Sequence, residues 1–203
     1  MNNFQLPEAE IIKINKYLNK SDGIIAFPTD TVWGLGCLVG NNDAVEKIYD
    51  IKGRDHNKPL ILLGSKIEYL VPYIDNIPLR AEEIMKKYFP GPVTLVLKKS
   101  DKTPSFITSG LDTVGIRIPD CPPFLKLLDD AVCGHVLATT SANLSGKGAT
   151  ALKTHVKKSL GNHVDYIVDD YGFLPKGMES TVVSVDENNN IKILRQGSVI
   201  IDL

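Results

Sequence analysis

Little in this 203-residue sequence invites an architecture held by covalent cross-links or metal. There are three cysteines, Cys37, Cys121 and Cys133, an odd number without ligand-like spacing. That argues against a disulfide framework or a zinc site and fits a reducing cytosol. The four histidines, His56, His135, His155 and His163, form neither an HxxxH nor an HxH pair, so no metal site is expected from them. Long apolar runs are missing too: nothing approaches the roughly 20 residues that span a bilayer. The opening segment, MNNFQLPEAEIIKINKYLNK, is charged throughout and lacks the apolar centre of a signal peptide. Charge of one sign is not in excess. A formal net charge of −1 argues against a broad basic nucleic-acid surface and leaves room for a local basic pocket. Two nucleotide signatures are absent. No GxxxxGK[ST] occurs, since Gly146-Lys147-Gly148 fails it, and Gly34, Gly36 and Gly40 make GxGxxxG, one residue too long for a dinucleotide fingerprint.

What is present is ordinary globular material, 43% hydrophobic and 23% charged. A chain of this length buries roughly 70% of its unfolded surface, enough for a core without staples. Apolar spacing predicts helices over 8–19, 43–52, 79–88, 123–129 and 152–160. The second is expected to start in a capping box of Asp43 and Glu46. Strands are expected at 23–27, 59–63, 93–98, 113–118, 135–139, 166–168, 181–185 and 191–194, with 29–36 as a loop rich in hydroxyls and glycine. Helices and strands intermingle without repeat or linker, and the last strands lie too close for a helical crossover between each. The expectation is one α/β domain over 1–203 with a mixed sheet.

Four segments just beyond elements join small polar residues to cations. Ligands in open α/β sheets bind at such places. Pro28-Thr-Asp-Thr-Val-Trp-Gly-Leu-Gly36 offers two threonine hydroxyls and close backbone approach for a small polar pocket, though taken alone it reads rather as a hydroxyl-rich turn. Lys52-Gly-Arg54, with Lys58-Pro59-Leu60, could grip phosphates, and reads equally as a basic helix end that complements the dipole. Thr139-Thr-Ser-Ala-Asn-Leu-Ser-Gly146 puts Ser141 and Asn143 on one side of an extended stretch, suited to a phosphate or carboxylate, or else to capping a helix. Gly177-Met-Glu-Ser-Thr-Val-Val183 belongs with Arg195-Gln-Gly197. Arg117 points away from its apolar neighbours Ile116 and Ile118, toward a site or simply toward solvent.

Taken together, PTDTVWGLG, KGR with KPL, GPVT at 91–94, SANLSG, ESTVV and RQG, in this order from Pro28 to Gly197, resemble the YrdC/TsaC family of threonylcarbamoyl-AMP synthases. The resemblance implies a twisted mixed β-sheet with flanking helices around a basic cavity. It also implies the conversion of L-threonine, bicarbonate and ATP to threonylcarbamoyl-AMP and pyrophosphate, for the threonylcarbamoyladenosine modification of tRNA. By motif it implies a threonine pocket of Thr31, Arg117, Ser141 and Ser180. It implies nucleotide contacts from Arg54, Lys58, Thr113, Asn143, Thr150 and Arg195, and a catalytic set of Lys52, Arg54, Ser141 and Asn143. Mg2+ would arrive with ATP, with no dedicated protein metal site. Threonylcarbamoyl-transferase proteins would take the product, in the cytoplasm, with room for a weak RNA contact and none for a membrane. Two departures stand out: Trp33 replaces the usual tyrosine, and Leu63 stands where many relatives carry a polar contact to threonine. Because the chain stops at Leu203, soon after Arg195-Gln-Gly197, it resembles the short, single-domain type. The rival readings are a carbamoyl-adenylate enzyme, of a kind normally far larger, and an RNA-binding module, disfavoured by the near-neutral charge and the lack of an aromatic-rich RNA motif.

Overall fold

The computed structural model describes residues 4–202, and one nine-stranded mixed sheet organises them. Residues 1–3 and 203, which the single-domain reading also covers, lie outside the described residues. In chain order the strands are β1 (Ile25–Phe27), β2 (Gly34–Leu38), β3 (Ile61–Gly64), β4 (Val93–Lys98), β5 (Thr113–Arg117), β6 (Val136–Ser141), β7 (Tyr166–Ile167), β8 (Thr181–Val185) and β9 (Ile191–Arg195). Side by side they run β7-β1-β2-β6-β3-β5-β4-β8-β9. Three pairs are parallel, β1/β7, β3/β5 and β4/β8, and the other five are antiparallel.

The helices are α1 (Glu8–Leu18), α2 (Asn42–Lys52), α3 (Ile67–Leu70), α4 (Leu79–Tyr88), α5 (Pro122–Ala131) and α6 (Lys153–Leu160). Two apolar layers follow from strand alternation. On one face, Leu35, Leu62, Leu95, Val114, Ile116, Ala138 and Val183 join one core with residues of α2, α4 and α6. On the other, Ile25, Phe27, Leu63 and Leu137 join a smaller core with Ile14 and Leu18 of α1 and Phe124, Leu127 and Leu128 of α5. That smaller core does not extend across β5, β4 and β8. There the same face carries Gly115 and Arg117, Thr94, and Val182, and it becomes the floor of a cavity.

Two expectations are corrected. Residues 29–36 are not all loop: from Gly34 the chain is the interior strand β2, paired with β6 along its length and with β1 over its first three residues. Glycine hides the strand from propensity, yet it is required, because a Cβ at Gly34 would sit 2.5 Å from the Phe27 ring. The cap of α2 is Asn41, whose side chain accepts from the Ala44 amide at 3.0 Å, and Asp43 stands in the first turn near the positive end of the dipole.

Candidate active site

The cavity gathers residues from seven separated segments: Thr31, Arg54, Arg117, Ser141, Glu179, Ser180 and Arg195 line it, over a floor of Thr94, Thr139 and Val182. Each polar side chain arrives for a local reason. After β1 the chain turns sharply at Thr29, whose hydroxyl accepts from the amides of Thr31 (3.2 Å) and Val32 (3.3 Å) and donates to the Val32 carbonyl (2.6 Å). This hydroxyl turn aims Thr31 inward. The carbonyls of Asp30 and Thr31 then accept from the amides of Lys176 (3.1 Å) and Gly177 (2.7 Å). That pins the 170s segment alongside and delivers Glu179 and Ser180 to the cavity.

Arg117, at the end of β5, is 4% exposed. Its Nε donates to the Gly91 carbonyl at 2.9 Å, its Nη1 to the Thr31 hydroxyl at 3.0 Å, and its Nη2 to Asp30 Oδ1. Burial works against both charges of the Arg117–Asp30 pair, raising the carboxyl's pKa and lowering the guanidinium's, while each partner's charge opposes that shift. Sequence reasoning gave Asp30 no role, although it lies inside the first motif.

The opposite wall is built by the end of α2. Gly53 adopts φ +53, a left-handed cap that favours glycine, and ends the helix between Lys52 and Arg54. Arg54 is then held by the carbonyls of Lys58 and Pro59, both at 3.1 Å, facing the cavity. Lys52 turns the other way. Its ammonium donates to the carbonyls of Ser141 and Asn143, the second at 2.5 Å, and its own carbonyl accepts from Ser145 N at 2.8 Å. Lys52 therefore ties α2 to the loop after β6 and does not itself line the cavity. Burial, with the nearby charge of Arg54, pushes its pKa down to about 7; Glu179 opposes this. Even the neutral amine keeps two N–H groups, one for each carbonyl.

The third wall is β8 and β9. Arg195 lies across Ser180, donating to its carbonyl from Nε (3.2 Å) and Nη2 (3.0 Å), to its hydroxyl from Nη2 (3.3 Å), and to Glu179 Oε2 from Nη1 (2.8 Å). The Ser180 hydroxyl is also 2.8 Å from that of Thr94. Sequence reasoning assigned nothing to Thr94 or Glu179. The alternation of Thr94 between apolar Val93 and Leu95 was the available signal for the first. For the second, the signal was its place at the head of the ESTVV motif.

Of the eleven site residues expected from sequence, six line this cavity: Thr31, Arg54, Arg117, Ser141, Ser180 and Arg195. Lys52 lies just behind it. Asn143 and Thr150 instead border a neighbouring cavity with Lys147, His155 and Lys158. There the Asn143 amide donates to the carbonyls of Leu144 (3.1 Å) and Lys147, and its buried Oδ1 has no partner among the described residues. The Thr150 carbonyl accepts from Trp33 N at 2.9 Å, joining the two cavities' walls. Lys58 and Thr113 are exposed and line neither. Thr113 shares its strand face with Arg117 but lies roughly 13 Å along β5. Leu63 does border the cavity, 3% exposed, so an apolar wall stands where a polar contact is common. Trp33 is fully buried, and its Nε1 has no partner among the described residues.

The lining thus offers three arginines against one glutamate, hydroxyls from several elements, and no cysteine or histidine nucleophile. Such a set can hold a carboxylate and neutralise phosphate charge. Residues 18–197 match a family model named Sua5_yciO_yrdC, whose description is "Telomere recombination". The chain is 40% identical over 183 residues to the threonylcarbamoyl-AMP synthase of Bacillus subtilis, covering 90% of this chain and 52% of that protein. It is 34% identical over 201 residues to a putative threonylcarbamoyl-AMP synthase of Methanocaldococcus jannaschii, covering 97% and 91%. Among solved structures, that of Pyrococcus abyssi Sua5 complexed with L-threonine superposes with a TM-score of 0.85 at 36% identity, covering 96% of this chain and 56% of that one. The chain therefore spans about half the length of the Bacillus and Pyrococcus relatives.

Proposed function

Because the chain belongs to the Sua5/YciO/YrdC family, we propose that it catalyses the synthesis of threonylcarbamoyl-AMP and pyrophosphate from L-threonine, bicarbonate and ATP. The observation that carries this reading is the pairing of a buried guanidinium, Arg117 beside the Thr31 hydroxyl, with two more open arginines, Arg54 and Arg195, in one cavity. A relative of this fold is described with L-threonine bound. In this reading Arg117 takes the threonine carboxylate with the N–H groups left over from its protein contacts, and Thr31, Ser141 and Ser180 meet the remaining polar atoms. Arg54 and Arg195 face the triphosphate.

Threonine's free amine adds to carbon dioxide derived from bicarbonate, giving a carbamate and releasing a proton. A carbamate oxygen then attacks the α-phosphorus, the bond from that phosphorus to the bridging oxygen breaks, and pyrophosphate leaves. The residues supply position and charge neutralisation in place of a covalent nucleophile. Lys52 holds the loop bearing Ser141 and Asn143 against α2, so its catalytic part is to position that loop.

Mg2+ belongs to this proposal as the companion of ATP, supplying charge neutralisation at the phosphates. The described residues contain no group of three histidine, cysteine, aspartate or glutamate side chains disposed to hold a metal. A cation carried mainly by phosphate oxygens and water fits that donor set. Delivery of the product to a threonylcarbamoyl-transferase, a weak RNA contact and a cytoplasmic location complete the reading. No helix of the described residues is long and apolar enough to cross a membrane.

The test is pyrophosphate release by purified protein without RNA, with each small substrate omitted in turn. Release is expected only when ATP, threonine and bicarbonate are all present. An analogue lacking the threonine hydroxyl should react poorly, because hydroxyls arranged to bond it are left unpaired. Release that persists without threonine would overturn the assignment, and a response to carbamoyl phosphate would favour a carbamoyl-adenylate enzyme.

A further inference from the structure

Glu179 is the one acidic side chain lining the cavity, and it stands at the end assigned above to phosphates. Its position is not needed to orient Arg195, which already makes three hydrogen bonds to the carbonyl and hydroxyl of Ser180. Only Oε2 meets Arg195, and Oε1 makes no hydrogen bond among the described residues. The carboxylate remains 37% exposed, open to a ligand entering from solvent. Its charge also bears on Lys52 and Arg54, across the cavity from Arg195.

Charge balance sharpens the point. Arg117 is neutralised by Asp30, so the cations facing the phosphates are Arg54 and Arg195, with Lys52 behind. A triphosphate carries about four negative charges, and a carboxylate among those cations adds a fifth. Since Glu179 offsets Arg195, most of the triphosphate's charge stays uncompensated unless a further cation comes with it. Mg2+ is commonly bound through one or two carboxylates together with substrate phosphates, and Glu179 is the carboxylate placed to serve.

We propose that Glu179 is the protein ligand of the divalent cation that enters with the nucleotide, so that the cavity selects metal-bound over metal-free ATP. The inference rests on the nucleotide reading of the cavity. It goes beyond that reading in assigning the metal a side chain and the glutamate a use.

The test is calorimetric binding of a non-hydrolysable ATP analogue to the wild-type protein and to Glu179→Gln, with Mg2+ and again with chelator, threonine being absent. Glutamine keeps the size and one acceptor oxygen, and matched thermal unfolding of the two proteins checks the fold. In chelator the variant is expected to bind more tightly than wild type by several-fold, since a repulsive charge is gone. With Mg2+ it is expected to bind more weakly by about tenfold, the scale of one lost charge contact of about 1.4 kcal/mol. Glu179→Asp, which keeps the charge, should retain the tighter binding with metal. As a second readout, Mn2+ held in the ternary complex, followed by its electron paramagnetic resonance signal, should be released at lower chelator concentration from Glu179→Gln. An equal change in affinity with and without metal would overturn the proposal and leave Glu179 as a brace for Arg195. If the analogue binds neither protein under either condition, the nucleotide reading itself fails and this proposal falls with it; equal factors leave that reading intact.

Discussion

The two ends of the cavity are built on different physical plans. At the Arg117 end every charge is paired inside the protein: guanidinium to Asp30, Thr31 and Gly91, with the arginine and the aspartate each only a few per cent exposed. At the Arg54–Arg195 end the cations lean mainly on backbone carbonyls, with Glu179 beside Arg195, and stay more open, Arg54 half-buried and Arg195 with 43% of its side chain exposed. A fixed, desolvated fork suits a small carboxylate that must be placed accurately. An open group of cations suits a large, mobile, highly charged ligand that brings its own counter-ion. The contrast teaches that the first end is part of the fold, whereas the second is chiefly part of the chemistry.

The largest effect should come from disturbing the paired end. Arg117→Ala leaves Asp30 as an uncompensated buried charge, and its stability is expected to fall by about 3–5 kcal/mol in denaturant unfolding, with activity lost as well. A loss below about 1 kcal/mol would show that the pair is not structural. Arg54→Ala should behave in the opposite way, with activity down roughly 10²–10³-fold and stability within about 0.5 kcal/mol of wild type. Near-normal turnover in that folded variant would remove Arg54 from the site.

How much of this was legible in the sequence depends on what each feature needs. Strand alternation in 93–98 and 113–118 gave β4 and β5 nearly to the residue, because one face of each is apolar. It also turned Arg117 away from its neighbours, toward what proved to be the cavity. Residues 29–36 misled, since Gly34 and Gly36 are chosen for close strand packing and carry no β propensity. The motifs marked six of the cavity-lining residues. Asp30, Thr94 and Glu179 were given no role because their partners lie 87, 86 and 16 residues away, at Arg117, Ser180 and Arg195. The motifs did group Lys52 and Arg54 with Ser141 and Asn143; what they could not show is that Lys52 reaches the backbone carbonyls of Ser141 and Asn143, and that only Arg54 and Ser141 of the four line the cavity.

A smaller effect should mark the bridge between the cavity's walls. Lys52 titrates near 7 in the fold, against an ordinary value of 10.5. Between those values the unfolded chain binds more protons, so this residue makes stability rise with pH, by up to about 1.4 kcal/mol per unit. Urea unfolding at several pH values should show a shallower rise for Lys52→Met than for wild type. Parallel curves would mean that the lysine stays charged when buried. Smaller still, Lys58→Ala and Thr113→Val should change the Michaelis constant for ATP by only a few-fold, because neither side chain lines the cavity. A loss matching that of Arg54→Ala would show that the nucleotide reaches well beyond it.

The claim that the two ends serve two ligands is tested most directly by calorimetry of L-threonine, without nucleotide, on wild type and Arg54→Ala. The account predicts the same threonine affinity for both, within about threefold, while the variant's ATP binding is lost. Threonine binding that falls in step with ATP binding in Arg54→Ala would contradict it and make the cavity a single, undivided site.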